Sequence, residues 1–191
     1  LADTFLPDMQ TLYVFLSQSG ETADVRESMK IVKAKGCKTF GIVNVVGSTI
    51  ARMADMGLYS HAGVEVGVAS TKNVIAQVGV LLTMALALGA KRDMQISEVR
   101  EIISELSGLS DLLSEVLMKG PYIEKLAKKY ASYEHMFVLG RNMMYPVAGE
   151  ASLKCKELSY MHYESYSAGE LKHGPLALVG EYFPVMVFNP M

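Results

Sequence analysis

Cysteine is scarce in this chain, and neither sign of charge prevails. Two cysteines among 191 residues, Cys37 and Cys155, lie in stretches that read as regular elements and make no disulfide framework. A reducing, cytoplasmic setting is therefore expected. The 18 basic and 20 acidic residues are spread along the chain and leave a formal charge of −2. No basic patch arises to attract phosphate backbones or anionic lipid, so neither nucleic acid nor membrane is an expected partner. The four histidines, His61, His135, His162 and His173, show no ligand spacing with the cysteines, and no metal or other cofactor is expected. A Gly-Lys-Ser/Thr turn is missing too, which argues against a nucleotide triphosphate with magnesium. The opening residues carry no basic segment followed by an apolar one, and no low-complexity linker interrupts the chain.

Half of the residues are apolar, enough to bury a sizeable core in one domain or two small ones. Short β-branched and aromatic runs at 11–16, 39–44, 57–62, 136–140 and 183–189 read as strands. Between the first two, Val25, Met29 and Val32 recur at helical spacing and Gly36 supplies a stop. Strand, helix, strand in that order implies parallel strands with right-handed crossovers and helices on both faces. From about 71 to 132 the pattern is helical, with breaks near Gly89-Ala90, Asp93 and Gly120-Pro121. The uncharged stretch 73–90 has the length of a membrane span, but Asn73, Gln77 and Thr83 interrupt it and no second span follows. We expect a buried central helix there. The sheet pattern restarts at 136, with a long helical pattern at 144–161 and a later apolar strand. We expect two related α/β lobes, residues 1–120 and 121–191. Leu1 at the start, and a stop just after an apolar run, lead us to expect a chain cut at both ends.

Three constellations carry possible chemistry. Ser17, Gln18, Ser19, Gly20 and Thr22 close a strand and open a helix. Unpaired N–H groups and partial positive charge at a helix start suit an anion, and a monophosphate fits this turn best. The same residues would also serve as a plain helix cap, and Glu21 would repel a phosphate unless turned away. Gly63 to Lys72 forms a second loop, whose glycines and Ser70-Thr71 pair could meet a sugar or merely turn and cap. In the third, Glu150, Lys154 and Glu157 share one helical face, ahead of Gly169 to Pro175 with His173. A carboxylate beside an ammonium can carry a proton if that face meets a cleft; the alternative is a solvent-side ion pair. His173, fixed by the following Gly-Pro, is a candidate on the same footing.

Taken together, SQSGET (17–22), GVASTK (67–72), GEASLKCKELSY (149–160) and AGELKHGP (168–175) closely resemble the sugar isomerase (SIS) domains of the glucosamine-6-phosphate synthase family, the isomerizing glutamine-fructose-6-phosphate aminotransferases. The resemblance covers nearly the whole chain. It implies an α/β fold with two tandem sugar isomerase lobes, each a parallel sheet flanked by helices and each incomplete here. It implies that Ser17, Gln18, Ser19 and Thr22 hold the sugar phosphate and that Val68 and Ser70 line the sugar. Glu157 is implied as the proton shuttle between C1 and C2, with Lys154 beside it. His173 is implied to assist ring opening from a neighbouring subunit, hence a homodimer. Implied ligands are fructose 6-phosphate, glucose 6-phosphate and glucosamine 6-phosphate. The family's strand and Thr/Ser turn ahead of this sequence, its C-terminal lysine tail and its glutaminase partner domain are not in these residues, so this chain alone is not expected to hydrolyse glutamine. Two alternatives stand beside this reading: a stand-alone relative such as a fructosamine deglycase or amino-sugar isomerase, and a non-catalytic sugar-phosphate sensor. The latter could dispense with Glu157 and His173.

Overall fold

The computed structural model describes residues 6–189. Leu1, Pro190 and Met191, on which the expectation of cut ends rests, lie outside them. The chain divides into two compact units, 1–99 and 100–191.

In the first unit, strands Leu12–Ser17 (β1), Lys38–Val43 (β2) and Met56–Tyr59 (β3) form a parallel sheet in the order β1-β2-β3. Register runs from Leu12 opposite Lys38 to Ser17 opposite Val43, and from Phe40 opposite Met56 to Val43 opposite Tyr59. Helix Ala23–Ala34 (α1) makes the first crossover, and the expected apolar stripe is what it buries: Met29 and Val32 are sealed, and Gly36 beyond the helix end adopts φ +76°. The short helix Thr49–Met53 (α2) makes the second, adding Ile50 to a core of Met29 and Val43 with Phe15, Val25 and Tyr59 around it. Each such sealed side chain contributes on the order of 2 kcal/mol by removal from water. Helix Lys72–Gly89 (α3) follows.

Helix Ile96–Ser107 (α4) runs across the division between the units, and Leu109–Met118 (α5) and Gly120–Tyr130 (α6) continue the helical stretch. In the second unit, His135–Gly140 (β4) is central to a parallel sheet in the order β5-β4-β6, with His162–Ser167 (β5) and Val185–Phe188 (β6) beside it. Both faces of β4 are covered, as a central parallel strand requires. Met136 and Val138 pack with Ala148 of helix Met144–Ser159 (α7) and with Tyr163. On the opposite face, Phe137 meets the rings of Phe183 at 4.3 Å and Tyr166 at 5.3 Å. Gly140 ends β4 so close to α7 that a Cβ would fall 2.0 Å from the Met144 carbonyl oxygen, and only glycine fits.

Three elements depart from the sequence expectation. Strand β5 was not foreseen: HYESYS is mostly polar and sits at a sheet edge, where only Tyr163 must be sealed. Strand β3 stops at Tyr59, short of residue 62, because the Ser60 side chain turns to Asn44 and Asn73 and His61 takes φ 50°. The expected buried central helix forms as α3, but only 11% of it is buried among the described residues, with Asn73 and Leu86 its sealed positions. Its apolar residues encircle the axis, so one sheet face cannot cover them all.

Candidate functional site

The turn after β1 is built from its own hydroxyls. Ser17 Oγ accepts the Gly20 N–H at 3.0 Å and lies 2.8 Å from Thr22 Oγ1, while Ser19 Oγ accepts the Glu21 N–H at 3.1 Å. Thr22 occupies the N-cap position of α1 without a side-chain cap bond, so the plain capping alternative does not describe it. Gly20 has φ +67°, and an added Cβ would meet Ser48 Oγ at 2.0 Å. Glu21 is turned away from the loop interior: its Oε1 accepts the Thr49 N–H at 2.7 Å, and Arg26 lies 3.7 Å from the other oxygen. The Thr49 N–H and then its hydroxyl hold the Glu21 carboxyl below the usual range, with Arg26 adding less. Glu21 thus stays ionised, and what answers the repulsion objection is that its carboxylate is engaged by Thr49 and Arg26.

Beside this turn lies an open cleft of about 470 Å³, lined by Gln18, Asn44, Val45, His61, Gly63, Val64 and Glu65. It stands at the carboxyl ends of β1 and β2, where open parallel sheets bind ligands. Asn44 pins its far wall: Oδ1 accepts from Ser60 Oγ at 3.2 Å and the Ala62 N–H at 2.9 Å, and Nδ2 donates to the Gly63 carbonyl at 2.7 Å. Ser60 Oγ is also 2.6 Å from Oδ1 of the sealed Asn73. Ser70 donates to Glu65, whereas Val68 is 96% exposed. Asn44, His61 and Glu65 were not singled out by sequence. The available signal for Asn44 was its place directly after a parallel strand; Glu65 and His61 had none.

In the second unit, α7 holds Lys154 between two carboxylates. Nζ is 2.7 Å from Glu157 Oε2 and 3.6 Å from Glu150 Oε1. The hydrogen bond to Glu157 is the main reason the Lys154 pKa is raised, partly offset by desolvation. Burial pushes the nearby Cys155 thiol upward, which makes it a poor nucleophile. His173 ends a 3-10 turn, Leu171–His173, before Gly174 at φ +141°, and it is exposed. Its ring forms no hydrogen bond with Lys154 or Glu157 among the described residues. Those residues also contain no group of three or more His, Cys, Asp or Glu side chains able to hold a metal ion.

Parallel sheets in both units, with a hydroxyl-built turn and a cleft beyond the strand ends of the first, define a protein of the open-sheet α/β class. Residues 5–87 and 129–190 match the family model described as the SIS domain, and the chain belongs to that family. Among curated relatives, glutamine--fructose-6-phosphate aminotransferase [isomerizing] of Aquifex aeolicus is 46% identical over 94% of this chain, and that of Haemophilus influenzae 45% over 97%. The chain spans 29% and 31% of the length of these two proteins. The solved C-terminal domain of glucosamine-fructose-6-phosphate aminotransferase from Francisella tularensis superposes with a TM-score of 0.93 at 37% identity, covering 98% of this chain and 53% of that one.

Proposed function

We propose that this chain is the isomerase portion of a glutamine-fructose-6-phosphate aminotransferase (isomerizing). The observation that carries the reading is the hydroxyl turn at 17–22 beside a cleft whose near wall is Gln18. Ser17 accepts from Gly20 and can donate to Thr22, which frees the Thr22 proton for an anion oxygen. Ser17, Gln18, Ser19 and Thr22 then anchor the phosphate, and Val68 and Ser70 border the sugar. Firm anchoring of the non-reacting end is what orients a small substrate for proton transfer.

The chemistry asked of the remaining residues is modest. Ammonia condenses with the C2 carbonyl of fructose 6-phosphate and releases water. One base then removes a proton from C1 and returns it to C2, leaving an aldehyde at C1 and an amine at C2. Glu157 is the base, Lys154 steadies its carboxylate, and His173 supplies the proton exchange that opens the ring. The relatives' names carry fructose 6-phosphate; glucose 6-phosphate and glucosamine 6-phosphate are the aldose ligands of the same reading. Ammonia comes from a glutaminase domain of the complete protein. We further propose a cytoplasmic homodimer in which His173 serves the neighbouring subunit, and a lobe boundary at 120/121, at the start of α6.

Calorimetric titration of the full-length enzyme with fructose 6-phosphate tests the anchor. Ser19→Ala with Thr22→Ala is expected to weaken binding by at least tenfold, through loss of roughly 1.5–3 kcal/mol per charge-assisted hydrogen bond. Unchanged affinity would remove the turn from the site.

A further inference from the structure

Glu65 has no part in the reading so far, yet it organises the loop that carries Ser70. Its Oε2 accepts the Ser70 hydroxyl at 2.7 Å, and its Oε1 accepts the Thr71 N–H at 2.8 Å and the Thr71 hydroxyl at 3.5 Å. Lys72 closes the same loop by donating to the Val64 carbonyl at 2.6 Å. Thr71 sits at the N-cap of α3 but makes no side-chain cap, so the Glu65 carboxylate stands in for it from six residues upstream. The Thr71 N–H and then the Ser70 hydroxyl hold the Glu65 carboxyl below its ordinary range. The residue is half-buried and lines the cleft that Gln18 enters.

A serine hydroxyl has one proton and two lone pairs. With its proton committed to Glu65, Ser70 has only acceptor capacity left for a ligand. We propose that Glu65 is a positioning residue for the sugar: it fixes Ser70 as a hydrogen-bond acceptor, so that the site selects a substrate hydroxyl that donates to Ser70. The inference rests on the isomerase reading above. Glutamine at 65 cannot reproduce the arrangement, because its amide has one accepting end. If that end takes the Thr71 N–H, the NH2 faces Ser70 Oγ as a donor and turns the serine proton outward. If it takes Ser70, the NH2 opposes the Thr71 N–H and loosens the helix start.

The test is a double-mutant cycle in the full-length enzyme, comparing Glu65→Gln, Ser70→Ala and the double variant. Values of kcat and KM for fructose 6-phosphate are measured, with inhibition by inorganic phosphate as a probe of the 17–22 turn alone. Each single change is expected to lower kcat/KM roughly tenfold. The double variant should lose about as much as either single one rather than about a hundredfold, since residues acting as a unit are not additive. Phosphate inhibition should stay within about twofold of wild type, as the phosphate contacts are untouched. If Glu65→Gln does not fold, Glu65→Asp keeps charge at the helix start while shortening the reach, and the same coupling is expected of it. Multiplicative losses, or phosphate inhibition weakening in step with turnover, would overturn the proposal and leave Glu65 as a helix anchor. A wild-type enzyme that does not turn over fructose 6-phosphate would instead overturn the isomerase reading, and this inference with it.

Discussion

Ser17 and Thr22 face each other across five residues, their hydroxyl oxygens 2.8 Å apart, and Ser17 also receives the Gly20 N–H. Ser17 is 6% exposed, so its hydroxyl is built into the turn rather than offered to solvent. Thr22, by contrast, is exposed. Ser17→Ala is therefore expected to cost stability, about 1–3 kcal/mol for the buried N–H left without a partner. Thr22→Val should preserve the melting temperature more closely while weakening sugar-phosphate binding. Denaturant melts paired with titrations separate the two effects; a Ser17→Ala variant as stable as wild type contradicts this division of labour.

Gly20 is pressed against Ser48, and its φ of +67° disfavours any side chain. Gly20→Ala should destabilise the first unit by about 1–3 kcal/mol from backbone strain and overpacking together. Combining it with Ser48→Gly removes the clash but not the strain, so part of the loss should return. Thermal melting of the single and double variants measures both parts.

Asp55 ties β2 to the end of α1. Its carboxylate accepts from Lys33 Nζ at 2.7 Å and from the Thr39 N–H and hydroxyl at 2.9 Å each. The Lys33 bond first, and the two Thr39 bonds after it, hold its pKa far below the ordinary carboxylate value. A pKa depressed on folding gives stability that is present above the unfolded value of about 4 and fades as pH falls toward the folded one. Asp55→Asn should thus melt earlier than wild type at pH 7, with the gap narrowing steadily below about pH 4. A gap independent of pH would mean that shape rather than charge holds this corner.

In the second unit, Phe137 is fully sealed and meets Phe183 and Tyr166 on one face of β4. Phe137→Ala should cost about 3–5 kcal/mol, the range for a large ring removed from a close-packed core. Phe137→Leu should recover much of it. Hydrogen exchange read separately on the two units assigns the loss.

Much of the fold was legible in the chain. The stripe of Val25, Met29 and Val32 announced α1, and the glycine at 36 announced its end, because helical periodicity and a positive φ are local properties. The hydroxyl turn was legible for the same reason. Strand β5 was not, since an edge strand with one sealed tyrosine leaves no alternation to read. Asn44 escaped notice because its partners Ser60, Ala62 and Gly63 are 16 to 19 residues away and only the fold unites them. Glu65 looked like any loop acid, as its hold on Ser70 and Thr71 depends on a chain reversal that spacing does not reveal.

The central proposals are that the 17–22 turn anchors a sugar phosphate and that Glu157 is the base that moves the substrate proton. Their most direct test is Glu157→Gln in the full-length enzyme, with fructose 6-phosphate affinity and isomerisation rate measured on the same preparation. The account predicts affinity within about threefold of wild type and a rate lower by at least 100-fold, the scale of a lost general base. Full turnover by the glutamine variant, or loss of binding in step with loss of rate, would contradict it.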